Sequence, residues 1–221
     1  MKRNALASVV AAGLVLAGCG SKQDANEKNF SNAMSKYLAA KGQLCLSAQA
    51  WPVTVDQSDL RMMSSIPTGI AGKMDALEKV GLLAHESVQV DAKDFFGKST
   101  GAKVTVLRYS PTEAAKPYMV TSQETAFSVD GPKQVTKGRL CFAREELDAV
   151  VKWEGPMKFG DYQEARVKYK SKIVDVAKWA QDQAVQKAFP MTASSLDKAG
   201  KLQQHSVKLT SEGWEAVGLD S

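Results

Sequence analysis

Cysteine and histidine are scarce in this chain, and their scarcity argues against several kinds of site. The 221 residues include three cysteines and two histidines. His85 and His205 lie far apart, and neither has the short-spaced partner that zinc sites usually show. No Cys-x-x-Cys pair is present, so we expect no redox motif. The sequence therefore predicts no metal site.

Motifs of common enzyme classes are also missing. The chain has no Gly-x-Ser-x-Gly elbow and no glycine-rich phosphate loop. Residues 195–198 have the bare Ser-x-x-Lys spacing without a supporting motif. The close carboxylate pairs, Asp91 with Asp94 and Glu145 with Glu146, are typical of solvated surfaces. We predict no catalytic residue and no cofactor.

The charge is mildly basic and evenly spread. There are 29 basic and 24 acidic residues, for a formal net charge of +5. Charged residues make up 24% and hydrophobic residues 44%, which is typical of a globular protein. Nucleic-acid binding would need the basic residues to cluster. We therefore expect no nucleic-acid partner.

The N-terminus has the pattern of a secretion signal. Lys2 and Arg3 precede an apolar run, Ala5–Leu16, that is interrupted by Ser8. The run is too short to cross a hydrocarbon core of roughly 30 Å as a helix. Its layout, a basic start followed by an apolar middle and small residues, is that of a secretory signal peptide. The run ends in Leu16-Ala17-Gly18-Cys19, which resembles the lipobox of bacterial lipoproteins.

The resemblance implies a location. Residues 1–18 would be cleaved, and Cys19 would receive a diacylglycerol and then an acyl group on its new amino terminus. Gly20 is not the aspartate that retains enterobacterial lipoproteins in the inner membrane. The resemblance thus implies a lipid-anchored, periplasm-facing protein of the outer membrane, with exposure at the cell surface as an alternative. Other interpretations are an ordinary cleaved signal with a chance cysteine, or an uncleaved anchor.

The residues after the lipobox are small and polar. This composition predicts a flexible tether over 19–28 and one globular domain over 29–221. If Cys19 is lipidated, Cys45 and Cys141 remain as an even pair in an oxidising compartment, where a disulfide is the simplest expectation. The alternative is two buried, inert thiols.

Hydrophobic periodicity predicts helices and strands in mixed order. Helices are expected over 26–41, 70–83 and 176–189, with a long loop after the second, a capping box at 110–113 and a helical turn at 210–217. Strands are expected over 104–109, 135–142, 147–153, 163–174 and 203–209, with a break at Gly155-Pro156. Strands 147–153 and 163–174 are predicted to form a hairpin. The predicted fold is α+β, with one antiparallel sheet, helices packed on one side, and one disulfide.

One strand offers a candidate contact surface. Arg166, Lys168, Lys170 and Lys172 alternate with apolar residues and should share the solvent face. That face is either a solvated surface or a contact for anionic lipid, lipopolysaccharide or an acidic partner. The sequence as a whole resembles small envelope lipoproteins of proteobacteria, which implies a location but no activity.

The functional expectation is a non-enzymatic, lipid-anchored protein that binds another envelope component. The membrane is a partner through the anchor. One alternative is a periplasmic enzyme acting on a cell-wall or lipid substrate. Another is a carrier of a small apolar ligand, which would require a cavity.

Overall fold

The computed structural model describes residues 21–95, 98–128 and 131–219. The predicted signal peptide, Cys19 and Gly20 lie outside the described residues. No helix in the described ranges has the length and apolar character needed to cross a membrane.

Helix α1 (Glu27–Lys41) confirms the first predicted helix. The Asn26 side chain caps it by accepting a hydrogen bond from the Asn29 backbone N–H at 2.9 Å. The helix ends at Gly42, where a Cβ would lie 2.4 Å from one backbone oxygen and 2.5 Å from another. Any larger residue would push α1 away from the sheet at this point.

Strands in the described ranges form two antiparallel sheets, where one was predicted. The strands are β1 (Gln43–Cys45), β2 (Val53–Val55), β3 (Leu83–Lys93), β4 (Ser99–Pro111), β5 (Met119–Ser128), β6 (Gly131–Phe159), β7 (Tyr162–Val174), β8 (Leu202–Thr210) and β9 (Gly213–Ala216). The large sheet has the order β1-β6-β7-β8-β9, with β5 also paired to β6, and the small sheet has the order β2-β4-β3. The predicted long loop in fact contains most of β3 and the first residues of β4, and these two strands pair with each other.

The remaining helices are short. They are α2 (Gln57–Met62), α3 (Ile70–Lys79), α4 (Gln183–Ala188) and α5 (Pro190–Leu196), with 3-10 helices at Glu113–Tyr118 and Lys178–Gln181. The fold is mostly sheet, so antiparallel sheets with helices and one disulfide describe it better than the predicted packing on one side of a single sheet.

The predicted capping box at 110–113 and the predicted single helix at 176–189 are both wrong. Pro111 ends β4, and Thr112 donates its hydroxyl to the Gly81 carbonyl at 2.7 Å, so the predicted capping box does not form. The predicted helix 176–189 divides at Asp182, whose side chain accepts from the N–H groups of Ala184 and Val185. Pro190 then begins α5, where proline is tolerated at the first helical position.

Two predicted strand boundaries also differ. The predicted strands 135–142 and 147–153 belong to the single strand β6, which continues past Gly155-Pro156 with a register shift between Glu154 and Met157. A bulge of this kind absorbs extra residues without ending the pairing. Residues 210–217 contain the β8–β9 turn and strand β9, and not the predicted helical turn. Gly213 adopts a φ of +114° at this turn, which favours glycine.

The predicted β6–β7 hairpin and the predicted disulfide are both confirmed. Ala165, Val167 and Tyr169 of β7 are buried beneath α1. Cys45 and Cys141 are bonded and lie directly opposite each other on β1 and β6. The bond therefore joins the edge of the large sheet to its longest strand.

The described part of the chain contains two hydrophobic cores. The α1 core lies between α1 and the large sheet, and its buried members are Phe30, Ala33, Met34, Leu38, Val150, Ala165, Val167, Tyr169, Val207, Trp214 and Ala216. The α3 core includes residues of α3, α4, the small sheet and the middle of β6; among its members are Val55, Met74, Leu77, Tyr109, Leu140, Phe142 and Val185. Strand β6 contributes to both cores.

Candidate functional site

The first described residues are bound to one end of the large sheet. The Trp214 indole N–H donates to the Gln23 carbonyl at 3.0 Å. The Asn29 side-chain amide donates to the carbonyls of Ser21 and Asp24, both at 2.9 Å. Composition predicted a flexible tether over 19–28, but it could not reveal acceptors for a tryptophan about 190 residues away in sequence.

The β6–β7 hairpin ends beside this segment. Glu164 of β7 lies opposite Lys208 of β8, so the last residues of β8 are level with the first residues of β7. The β8–β9 turn contacts the N-terminal segment, since a Cβ on Gly213 would lie 2.9 Å from the Lys22 carbonyl. We call this region, with Ser21–Gln23, the β8–β9 turn and residues 157–162, the Ser21 end of the large sheet.

Exposed apolar side chains mark the Ser21 end. Phe159 is 67% exposed, and Met157 and Tyr162 are also exposed. The Tyr162 hydroxyl donates to the Glu164 carboxylate at 2.7 Å, an interaction that raises the pKa of the phenol. Phe127 is 86% exposed at the tip of the β5–β6 hairpin, but it lies at the opposite end of β6.

The four predicted contact residues lie on the face of the large sheet opposite α1. Lys168 pairs with Glu154 at 3.0 Å and Lys172 pairs with Glu146 at 3.3 Å. The hydrogen bond from Lys168 lowers the pKa of Glu154. Two acidic neighbours therefore reduce the positive charge of this face.

The other two residues of that set, Arg166 and Lys170, form no ion pair within the described part of the chain. They are exposed, and Arg166 is the member nearest to the Ser21 end. The charge of Arg166 is partly compensated by Glu154 and Glu164, whose carboxyl pKa values are lowered first by hydrogen bonds and also by this cation. Lys170 is therefore the more available of the two to an anionic partner.

A cavity of about 320 Å³ opens beside the disulfide. We call it the β1 cavity. Its walls come from β1 and the residues after it, α3, β6 and the α4–α5 junction: Gln43, Leu44, Cys45, Leu46, Ser47, Thr68, Lys73, Phe142, Ala188, Phe189, Pro190, Met191, Thr192 and Ser195. These segments are distant in the sequence, and no local pattern could have predicted that they meet.

A buried hydroxyl lies beside the β1 cavity, and a cation lies in its wall. Thr192 is 1% exposed, and its hydroxyl has no hydrogen-bond partner among the described residues. Lys73 is the single charged side chain in the described lining, and its ammonium lies 5.7 Å from the centre of the Phe189 ring. The cavity therefore combines a wall of mixed apolar and polar side chains with one cation.

A second cavity, of about 540 Å³, adjoins the other half of the disulfide. Cys141 lines it, whereas Cys45 lines the β1 cavity. Its charged groups already have partners, because Arg144 pairs with Asp175 at 3.1 Å and with Glu146 at 2.7 Å. This cavity offers a ligand less uncompensated charge than the β1 cavity does.

A buried polar cluster was missed at the sequence level. Glu145 and Glu146 point to opposite faces of β6, so Glu145 is buried although its neighbour lies on the open face. The Gln203 amide donates to both Glu145 and Ser171 at 2.6 Å. Burial, and then the charge of Glu145, raises the pKa of Tyr169 to about 12. The cluster is satisfied internally and stabilises the layer under α1.

The histidines lie in separate places. His85 is 2.7 Å from Glu78, and His205 is 2.9 Å from the Val217 carbonyl. Ser195 lines the β1 cavity, and its carbonyl accepts the backbone N–H of Lys198 at 3.3 Å. No group of three or more His, Cys, Asp or Glu side chains in the described ranges could hold a metal ion.

Comparison of the chain with family models, with curated proteins and with solved structures finds no match.

Proposed function

We propose that this chain is a non-enzymatic, lipid-anchored protein of the bacterial outer membrane that faces the periplasm and binds another envelope component. The lipobox-like Leu16–Cys19 supports the anchor. The observation that carries the proposal is the attachment of Ser21–Gln23 to the end of the large sheet that bears the exposed 157–162 tip.

The short spacing between anchor and body limits how the protein can sit on the membrane. Cys19 is two residues from Ser21, a reach of about 7 Å at roughly 3.5 Å per residue. Strands β9 and β7 are two spacings apart, or about 10 Å. An acylated Cys19 would therefore hold the 157–162 tip within about 20 Å of the point of lipid insertion.

The side chains at the tip suit a bilayer surface. Phe159 and Met157 are apolar, and Tyr162 combines an apolar ring with a polar hydroxyl, as side chains at membrane interfaces commonly do. Arg166 follows on the open face, where it could approach an anionic headgroup. In this proposal α1 covers one side of the large sheet, and the opposite face stays open to a partner.

The anchor is tested by acyl labelling. Cys19→Ser should abolish incorporation of labelled palmitate and move the protein from the membrane to the soluble fraction. Normal labelling of this variant would refute the anchor.

The orientation is tested by photocrosslinking in cells. The photocrosslinker p-benzoylphenylalanine in place of Phe159 should capture lipid. The same replacement at Phe127, an exposed phenylalanine at the far end of β6, is the matched control and should not. Equal capture of lipid at both positions would contradict the orientation. The same photocrosslinker in place of Lys170 tests the open face, with the captured proteins identified by mass spectrometry. Recovery of only abundant, unrelated envelope proteins would count against a specific partner.

The β1 cavity favours a second candidate function, the carriage of a small, largely apolar ligand. Its volume of about 320 Å³ lies at the lower end of the range for small-molecule pockets. Saturable binding of a small apolar probe would support this function, and its absence would refute it.

A further inference from the structure

We propose that the β1 cavity binds a small amphiphilic anion, a molecule with one carboxylate or phosphate group and a short alkyl chain. The inference rests on the carrier function proposed above and adds the chemical class of the ligand. It does not depend on the lipid anchor, because the cavity is built by β1, α3 and the α4–α5 junction and not by the Ser21 end.

Charge selects the head group. Lys73 is the single charged side chain in the described lining, and no acidic residue among those wall residues competes for it. Its ammonium is oriented toward the Phe189 ring by a cation–π contact of 5.7 Å. A ligand anion would form a charge-assisted hydrogen bond with this ammonium in partly apolar surroundings, where such bonds are stronger than in water.

Hydroxyl groups in the wall supply further polar contacts. Ser47, Thr68 and Ser195 line the cavity together with Lys73, and a ligand oxygen would accept hydrogen bonds from their hydroxyls. The Thr192 hydroxyl is unpaired among the described residues, but its oxygen is inaccessible to water, so it lies behind the wall and not on the cavity surface.

The rest of the wall selects the tail. Leu44, Leu46 and Phe142 line the cavity, and Met191 is an exposed and adaptable residue at the α4–α5 junction. A volume of about 320 Å³ holds roughly ten water-sized groups at about 30 Å³ each. An anion with about eight carbons has a matching size.

Titration calorimetry with octanoate tests the proposal. The full chain carrying Cys19→Ser is used, so that acylation and detergent do not interfere. Octanoate should bind saturably and about tenfold or more tightly than octanol. Lys73→Met should weaken octanoate by about tenfold or more and leave octanol unchanged, and Lys73→Arg should restore octanoate. Octyl phosphate as a second ligand shows which anionic head group is preferred.

The matched control is Lys79→Met. Lys79 lies on the same helix but pairs with Asp75 at 2.7 Å and does not line the cavity, so octanoate binding should be unchanged. Equal binding of octanoate by the Lys73→Met and Lys79→Met proteins overturns the site. Binding of octanol with no preference for octanoate overturns the anion proposal but retains the carrier function. Binding of neither ligand overturns both.

Discussion

The two cores of this protein differ in how fully their buried polar groups are hydrogen-bonded. Under α1, the buried Ser171 and Glu145 both accept hydrogen bonds from Gln203. Around the α3 core, the Trp179 indole N–H and the Thr192 hydroxyl are buried without partners among the described residues. The cluster under α1 is internally satisfied, although Glu215 of β9 in the same sheet also has a buried carboxylate oxygen without a hydrogen bond in the described part of the chain. The α3 region, in contrast, contains these two unpaired groups, one of them beside a cavity.

Aromatic rings pack edge-on in both cores, since Trp179 meets Phe142 and Tyr118 in this way in the α3 core. The contrast is between Phe30 and Phe189, which lies at the margin of the α3 core. Phe30 is fully buried and meets Trp153 and Trp214 edge-on, with ring centres 5.3 and 4.9 Å apart. Phe189 is only partly buried and borders the β1 cavity. The difference therefore lies at the margin of the α3 core, where the β1 cavity borders a half-buried ring, and not in the packing at the centres of the two cores.

The largest expected effect comes from removing the disulfide, whose flanking residues on β1 and β6 belong to the α3 core. The Cys45–Cys141 bond spans a sequence separation of 96 residues, and the chain-entropy model gives about 4–5 kcal/mol for such a loop. We expect the double substitution Cys45→Ser with Cys141→Ser to lower the free energy of unfolding by up to that amount, as measured by urea denaturation. Because the loop encloses α3 and the small sheet, hydrogen exchange should rise more there than in β7–β9. A uniform rise would contradict the division into two regions.

The next largest effect is the loss of stability on replacing Phe30, compared with the loss on replacing Phe189. Phe30→Ala should cost about 3–5 kcal/mol, the usual range for a buried phenylalanine. Phe189→Ala should cost less, about 1–2 kcal/mol, because the ring is already partly exposed and borders open space. Urea denaturation of both variants measures the difference, and equal losses would show that the two cores are packed equally well.

These features differ in how far the sequence could predict them. The alternation from Ala165 to Lys172 correctly predicted which side chains of β7 lie under α1, because a strand places its neighbours on opposite faces. The cysteine count correctly predicted the disulfide. Both predictions depend on patterns within one segment or on a small count.

The features that were missed depend on contacts between distant segments. Strand β3 carries only a short alternation, in which the half-buried Val88, Val90 and Ala92 are separated by exposed polar residues, and the rest of the strand is mostly exposed, so the signal for its pairing with β4 is weak. The N-terminal segment is polar, and its attachment depends on hydrogen bonds from Trp214 and Asn29. The β1 cavity needs α3, β1 and α5 to meet, which no single stretch of sequence encodes.

A smaller effect should appear in alkaline solution. Burial beneath α1 raises the pKa of Tyr169 to about 12, above the value near 10 of an unfolded chain. Below pH 10 the phenol is protonated in both states and its contribution is complete. Between pH 10 and 12 the unfolded state loses its proton first, so stability should fall by roughly 2–3 kcal/mol.

Substitution of Tyr169 isolates its contribution to the pH dependence of stability. Tyr169→Phe should flatten the loss of stability between pH 10 and 12, as measured by urea denaturation at each pH. Tyr109 of the α3 core also has a raised pKa, caused first by burial and then by Glu78 and Asp75. The Tyr109→Phe protein therefore tests whether the alkaline sensitivity belongs to the α1 core, and the opposite ranking of the two variants would reverse that assignment.

The smallest effect has opposite signs in the two regions. Thr192→Val removes a buried, unpaired hydroxyl while keeping the side-chain shape, so the ligand-free protein should gain about 1 kcal/mol. Thr210→Val is the matched control in the large sheet, where the hydroxyl donates to the Gly213 carbonyl at 2.8 Å, and it should lose about 1 kcal/mol. Thermal unfolding without ligand measures both changes. A gain at position 192 together with a loss at position 210 would confirm that the Thr192 hydroxyl is buried without a partner, whereas a loss at both positions would mean that Thr192 is ordinary packing.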